Sequence, residues 1–447
     1  MVPTKIPIKV QKRSGFEKSH HNALSQKVGV ITPLMVDEII PNSKVNLRYA
    51  LAGSLPPLAT DTYMKCYFDI RAFFVPLRLL SGSFNSWFSD YEYNYLSGGS
   101  VISAKAFMPY LSIDPQVDFA GIFGPQTLSD YLGYKCPDIS DLVNLDGPIE
   151  ISVLPYLAYH KICADWFRQP NITKDFFARP AFVGASGSND HAVSFCPFSA
   201  FITSSDAVLP VVNDRYDANI VFTDGISVFD LRSANYDYDY FTNGLPSAQL
   251  GNPITVQSVN DFSIASLRVG NALQEFAEIN QLAGPNEVSV VRARYGAKLH
   301  DSITQRSLYL GGARLDFGTK SVDIRVNAGS VSSNPFSGTA GASAGKAFVQ
   351  GTDVIIDGFT ANEPGYIFVV GVIIPKVTYG SGIRRYLRHY IKAGSITDMA
   401  NPMLQGVGNQ PIYDYELTSS LGFNHQEQPF GYTDRYAEFM TMEEVSS

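Results

Sequence analysis

The one stretch that resembles a nucleotide site is GTAGASAGKA, residues 338–347. A phosphate loop needs glycine five residues before Gly345, and Ala340 stands there. The hydroxyl that would bind magnesium should follow Lys346, and Ala347 follows instead. No HExxH zinc motif occurs, and GASAG at 341–345, which matches GxSxG by letter, sits in a Gly/Ser/Ala run without the strand-to-helix context a nucleophile elbow needs. The seven histidines are scattered, only His20 and His21 are neighbours, and no HxH pair is followed by Glu and a further His. The four cysteines, Cys66, Cys136, Cys163 and Cys196, show no CxxC spacing; Cys66 and Cys163 sit in apolar patterns and read as buried thiols. Asn171-Ile172-Thr173 fits a glycosylation sequon, but nothing else marks a secretory chain. Neither an enzyme nor a cofactor or metal site is therefore expected.

What remains is cationic. Residues 1–30 hold Lys5, Lys9, Lys12, Arg13, Lys18 and Lys27 against Glu17 alone, while the whole chain carries −8. A basic arm on an acidic body fits local contact with a polyanion. Lys5, Lys9, Lys12, Arg13 and Lys18 are the candidate phosphate contacts, and Phe16 or His20 could stack on an unpaired base. A second cluster is Lys376, Arg384, Arg385, Arg388 and Lys392, with no acid between Glu363 and Asp398. If residues 382–392 are helical, Arg384, Arg388 and Lys392 share a face. That face is either simply solvated or a second nucleic-acid contact.

The elements that must position these residues are mainly strands. Tyr63–Pro76, YMKCYFDIRAFFVP, alternates with period two: Met64, Cys66, Phe68, Ile70, Ala72 and Phe74 form one dry face. Tyr63, Lys65, Tyr67, Asp69 and Arg71 fall on the other face, and Pro76 ends the ladder. So long and aromatic a strand needs a covering sheet, which predicts a central strand of a two-layer β structure. Val45, Leu47, Tyr49 and Leu51 give a short strand before it. Tyr366–Val377 reads as a strand buried on both faces. Val322, Ile324 and Val326 alternate. Residues 80–148 read as a long irregular excursion, and 329–346 as a flexible Gly/Ser/Ala loop.

Two segments switch to helical spacing, 154–168 with Pro155 in its first turn, and 262–282 ended by Ala283-Gly284-Pro285. His160 on the first reads as a satisfied or exposed helix residue. Ile220–Phe229 reads as a hairpin turning at Asp224-Gly225. The run NYDYDY, 235–240, is either a loop with solvated aspartates or a contact between subunits through Tyr236, Tyr238 and Tyr240. Charged residues make up only 17% and aromatics 13%, which suits either extensive interfaces or a β-rich fold. No apolar run is long enough to span a membrane, so membrane insertion is not expected and the chain reads as soluble in a reducing compartment.

Eight stretches, in order, carry a family resemblance: RSGFEKSH (13–20), PLMVDEIIP (33–41), YFDIRAFFVP (67–76), ADWFRQPN (164–171), DYFTNGLPSAQLG (239–251), RYGAKLHDSITQRSLYLGG (294–312), EPGYIFVVGVI (363–373) and FGYTDRYAEF (430–439). The chain resembles the major capsid proteins of the microviruses, small tailless phages with single-stranded DNA, above all their gokushovirus-like branch. That resemblance implies a mainly β fold, an eight-stranded antiparallel jelly roll (two-sheet β-sandwich) with long loop insertions and a few helices. It implies a 1–30 arm and a single 31–447 capsid domain, with insertions at about 80–150 and 170–260. It implies self-assembly into an icosahedral shell around single-stranded DNA, as a virion protein assembled in the host bacterial cytoplasm. A small basic DNA-packaging protein, a scaffold protein and a host-cell receptor are further implied partners. Relatives carry a large protruding insertion after the LP motif; here the helical pattern at Phe262 follows almost at once, so a reduced protrusion is expected, as is a shorter C terminus. The alternative from the residues alone is a jelly-roll carbohydrate-binding module.

Overall fold

A computed structural model describes residues 14–54, 65–80, 92–97, 100–106, 110–113, 123–134, 149–169, 181–182, 201–203, 220–222, 226–247, 287–296, 305–323, 343–380, 382–388, 409–417, 428–434 and 437–441, with a few single positions between them. In chain order the strands are β1 (Thr32–Ile39), β2 (Lys44–Ser54), β3 (Cys66–Pro76), β4 (Glu92–Ser97), β5 (Ser100–Ala106), β6 (Tyr110–Ile113) and β7 (Ile149–Ser152). Helix α1 (Leu154–Ile162) follows, then β8 (Ala181–Phe182), β9 (Phe201–Thr203), β10 (Ile220–Val221) and helix α2 (Glu287–Tyr295). The chain continues with β11 (Leu308–Asp316), β12 (Gly318–Asp323), β13 (Ser343–Thr360), β14 (Gly365–Pro375), β15 (Asn409–Tyr413) and β16 (Pro429–Asp434).

Two antiparallel sheets form the body. One has the order β1-β14-β3-β11 and the other β12-β13-β2. The pairing is nested: β1 lies on β14, β2 on β13 and β3 on β11, so early strands meet late ones in reverse order. β14 also pairs with β3 over eleven positions, from Gly365↔Pro76 to Pro375↔Cys66, and this closes the four-stranded sheet. Only Phe317 separates β11 from β12, so one extended segment passes from the first sheet to the second. At Gly311 a Cβ would stand 2.1 Å from the Ile355 carbonyl oxygen, a close approach that only glycine permits.

The alternation in β3 is real, but both of its faces are dry. Cys66, Phe68, Ile70, Ala72 and Phe74 point between the sheets, against Val349, Ile355 and Ile356 of β13. The face expected to be wet carries Phe73 and Val75 beneath α1, and Asp69 and Tyr67 are buried there as well. The helix covers Phe73 and Val75, while Tyr67 packs with Val372, Ile374, Phe167 and Ala234. Tyr156, Leu157, Tyr159 and Ile162 of α1 are fully buried, and each such side chain contributes roughly 1.5–3 kcal/mol. The Tyr159 hydroxyl donates to the Ile31 carbonyl at 2.8 Å and accepts from the Arg232 amide at 2.8 Å. His160 is a satisfied core residue: its Nε2 donates to the Val228 carbonyl at 2.8 Å, its Nδ1 accepts from Arg232 at 2.7 Å, and burial holds its pKa well below the usual value.

Cys66 and Cys163 are buried free thiols, and burial pushes Cys163 up to about 12. After Ile162 the helix widens into a π-turn, Cys163–Phe167, which rotates Trp166 toward β11.

Other expectations are corrected. β2 spans eleven residues, not a short segment. The excursion after Leu80 contains an antiparallel pair, β4–β5, whose ladder runs from Glu92↔Lys105 to Ser97↔Ser100. β10 pairs with β8, and Phe222 N donates to the Ile226 carbonyl on either side of Asp224; residues 223 and 225 lie outside the described residues. Residues 343–346, assigned to the Gly/Ser/Ala loop, belong to β13, where the pairing with β12 organises them; 329–342 lie outside the described residues. The alternation at Val322 belongs to a strand that starts at Gly318 and is described to Asp323. Most of the 262–282 helix lies outside the described residues, and its described positions Arg268, Gly270, Ala272 and Glu275 are helical.

Candidate nucleic-acid and assembly surfaces

Described from Ser14 onward, the arm has no regular structure and is tied to β1 and to the end of β14 that β1 leaves unpaired. Asn22 Nδ2 donates to the Leu34 carbonyl, Gln26 Nε2 to the Gly371 carbonyl, and the Gly29 amide to the Ile373 carbonyl at 2.8 Å. The Tyr131 hydroxyl holds the Ser25 carbonyl at 2.6 Å. Such bonds cover an edge that would otherwise be open to pairing. Lys18 reaches Asp37 at 2.8 Å while staying 68% exposed. Phe16 is 85% exposed. Lys5, Lys9, Lys12 and Arg13 lie outside the described residues.

The second basic cluster divides. Residues Arg385–Arg388 form a 3₁₀ turn, so an α-helical face shared at i and i+4 is not formed there. Arg384 is exposed, only the backbone of Arg388 is described, and Lys392 lies outside the described residues. Arg385 is buried and is removed from the candidate nucleic-acid contacts. Its guanidinium donates to the Pro411 carbonyl at 3.0 Å and lies 3.8 Å from Glu416 and 3.9 Å from Glu438. Glu416 accepts from the Tyr240 hydroxyl at 3.0 Å and from the Tyr413 amide at 3.0 Å, and Gln410 donates to Glu438. Burial raises the Glu416 pKa above the ordinary carboxylate value. This knot fixes the β15–β16 hairpin to the 239–245 loop.

Tyrosines 236 and 238 are 58% and 65% exposed, as a contact between subunits requires. Tyr240 is 3% exposed and serves the chain's own core beside Phe241 and Ile412. It is not available to a neighbour. Leu387, Phe430 and Phe439 add exposed apolar surface.

One constellation has no signature in the sequence. Asp69, Arg71, Trp166, Tyr309 and Arg314 line a common groove. Asp69 and Arg71 come from YFDIRAFFVP, Trp166 from ADWFRQPN and Tyr309 from QRSLYLGG, stretches that carried the resemblance without any chemical motif, and Arg314 lies just beyond the last. No spacing rule links residues some 240 positions apart; the β3–β11 ladder does, with Gly312 opposite Arg71 and Arg314 opposite Asp69.

Comparison with known proteins decides what this architecture serves. The family model described as Capsid protein (F protein) matches residues 4–445. The chain belongs to this family. Relatives include the capsid protein VP1 of Bdellovibrio phage phiMH2K, 23% identical over 97% of this chain and 81% of the relative. Capsid protein VP1 of Chlamydia phage 1 is 23% identical over 98% of this chain and 84% of its own length. That of Spiroplasma virus 4 is 22% identical over 95% and 80%. The alignment with the Chlamydia phage protein runs over 536 positions, more than the 447 residues here, so the relative has residues without counterparts. This is a microvirus major capsid protein, and nothing in the comparisons favours the carbohydrate-binding alternative. Membership of a structural family fits a subunit that is not an enzyme. No helix among the described residues is long and apolar enough to cross a membrane.

Proposed function

We propose that this capsid protein is an eight-stranded jelly roll that assembles with copies of itself into an icosahedral shell around a single-stranded DNA genome, in the host bacterial cytoplasm. The nested pairing of β1 with β14, β2 with β13 and β3 with β11 carries the jelly-roll reading, because rolling up one long antiparallel hairpin produces that order. Exposed Tyr236 and Tyr238 would bury area against neighbours. A small basic packaging protein, a scaffold and a host receptor complete the set of partners. The test is the mass of the assembled species by analytical ultracentrifugation, for protein expressed alone and for particles from infected cells. A megadalton nuclease-resistant particle in either preparation supports the reading. A monomer or small oligomer in both removes it.

Within that shell the arm neutralises DNA phosphates through Lys5, Lys9, Lys12, Arg13 and Lys18, with Arg384, Arg388 and Lys392 as the remaining members of the second cluster. Alanine at Lys5, Lys9, Lys12 and Arg13 together is expected to flatten the salt dependence of DNA affinity, its slope falling by about 0.7 for each phosphate left without its cation. Lys18→Ala is expected to change stability by less than about 1 kcal/mol, since its partner is a surface carboxylate. An unchanged slope in the fourfold variant would give the arm another role, the linkage of subunits.

A further inference from the structure

Beyond the end of α1 the surface opens into a groove of about 290 Å³, lined by Asp69, Arg71, Trp166, Tyr309 and Arg314 along Gly312 and Ala313. Three guanidinium groups are held over aromatic rings around it. Arg306 lies 3.9 Å from the Trp166 ring centre, Arg314 lies 3.9 Å from that of Tyr67, and Arg71 lies 5.2 Å from that of Phe167. Stacking fixes each cation without consuming its in-plane donors. The Tyr309 ring is 43% exposed. Gly312 lets it lie close to the strand, since a Cβ there would meet the Tyr309 hydroxyl at 2.8 Å.

The acids here are unequally engaged. Asp69 takes two hydrogen bonds from Arg71, at 3.0 and 2.5 Å. Asp165 is matched by Lys161 and by the Ser307 amide and hydroxyl. Arg314 has only longer contacts, 3.6 Å to Asp237 and 3.9 Å to Asp69, and its side chain is 50% exposed. Arg71 and Arg314 thus face Asp69 and Asp237, while Arg306 and Lys161 meet Asp165, which leaves one more cation than acids around the groove on a chain of net charge −8. A concave surface with an exposed ring, donor-rich cations and net positive charge fits an unpaired nucleotide: the base has a face to stack and the phosphate a guanidinium to meet.

We infer that this groove is a second contact for single-stranded DNA, taking one nucleotide with its base against Tyr309 and Trp166 and its phosphate on Arg314. The inference rests on the proposed enclosure of a single-stranded genome. It involves none of the arm's residues: the groove lies along β3 and β11, and the described part of the arm is tied to β1 and β14 at the other edge of the sheet.

The chain has two tryptophans, so Trp87→Phe leaves Trp166 as the sole indole. Full-length protein with that change is titrated with an oligothymidylate of about ten nucleotides, with the arm intact and with Lys5, Lys9, Lys12 and Arg13 replaced by alanine. Quenching of Trp166 is expected in both. Tyr309→Ala is expected to weaken the quenching transition about tenfold, Tyr309→Phe to preserve it, and Arg314→Ala to flatten its salt slope by about 0.7. Urea midpoints matching the parent show that each variant is folded. Oligonucleotide binding with no change in Trp166 emission, or transitions indifferent to both Tyr309→Ala and Arg314→Ala, overturns the groove and leaves the genome-enclosing reading intact. If no variant binds the oligonucleotide and particles from infected cells carry no DNA, both readings fall.

Discussion

Replacing Arg385 by alanine is expected to cost about 3–5 kcal/mol, because it leaves buried carboxylates without their cation. Glu416 and Glu438 both face this one guanidinium, and the Arg385 and Glu416 side chains are each 5% exposed. The hydrogen bond to the Pro411 carbonyl disappears with it. Without Arg385 the β15–β16 hairpin and the 239–245 loop keep the Tyr240–Glu416 bond and the two Leu245–Tyr432 backbone bonds, far fewer ties than the long ladders of the sandwich, so they should open before it does. Limited proteolysis would then cut after residue 376 while β1–β14 stay intact, and a cost below about 1 kcal/mol would show that water already reaches the carboxylates.

The same knot has a predictable response to pH. Burial raises the Glu416 pKa, and Arg385, the Tyr413 amide and the Tyr240 hydroxyl oppose that rise. A folded pKa above the unfolded one means that the native state binds the proton more tightly. The associated stability is fully present below the ordinary carboxylate pKa and is lost as pH climbs through the raised value. Glu416→Gln keeps the acceptor for Tyr240 and Tyr413 but cannot ionise. It should match the parent in acid, exceed it modestly near neutral pH, and flatten the dependence between them. Urea midpoints measured from about pH 4 to about pH 8 check this, and a variant weaker than the parent throughout would mean that the Arg385 pairing outweighs desolvation.

How far the sequence carries is clearest in β3 and Arg385. Period two placed Phe68, Ile70 and Phe74 between sheets correctly, because alternation is a property of the strand itself. It failed for Tyr67 and Asp69, because Tyr67 packs with Phe167 and Ala234, segments about 100 and 170 residues further on, and Asp69 is held by Arg71. The run of arginines from 384 to 388 was legible as charge, yet the burial of Arg385 depends on Glu416 and Glu438, which no local pattern links to it. Tyr240 was grouped with Tyr236 and Tyr238 because all three stand in the run NYDYDY, while Glu416 and Phe241 draw it inward. Long alternating strands were readable; polar contacts across the fold, including the Trp166–Arg314 groove, were not.

Phe73→Ala should be the most damaging apolar change, at about 3–5 kcal/mol. Phe73 is fully buried on the face of β3 that alternation alone would leave in water. It sits opposite Phe368 of β14 and Tyr309 of β11 in the ladder. Its ring centre is 5.6 Å from Trp166, 6.2 Å from Phe167 and 5.7 Å from Tyr309, so its removal also strips those rings of support. Water cannot easily fill such an apolar gap, and the rigid sheet limits collapse. Phe73→Leu, which keeps most of the volume, should stay within about 1.5 kcal/mol. The readout is the urea midpoint at unchanged slope. A cost below about 1.5 kcal/mol in the alanine variant would mean that the helix-covered face of β3 is loosely packed. The fluorescence of Trp166 in the Trp87→Phe background locates the damage: a red shift on Phe73→Ala but not on Phe73→Leu would show that this ring holds the indole in place, and with it the wall of the groove.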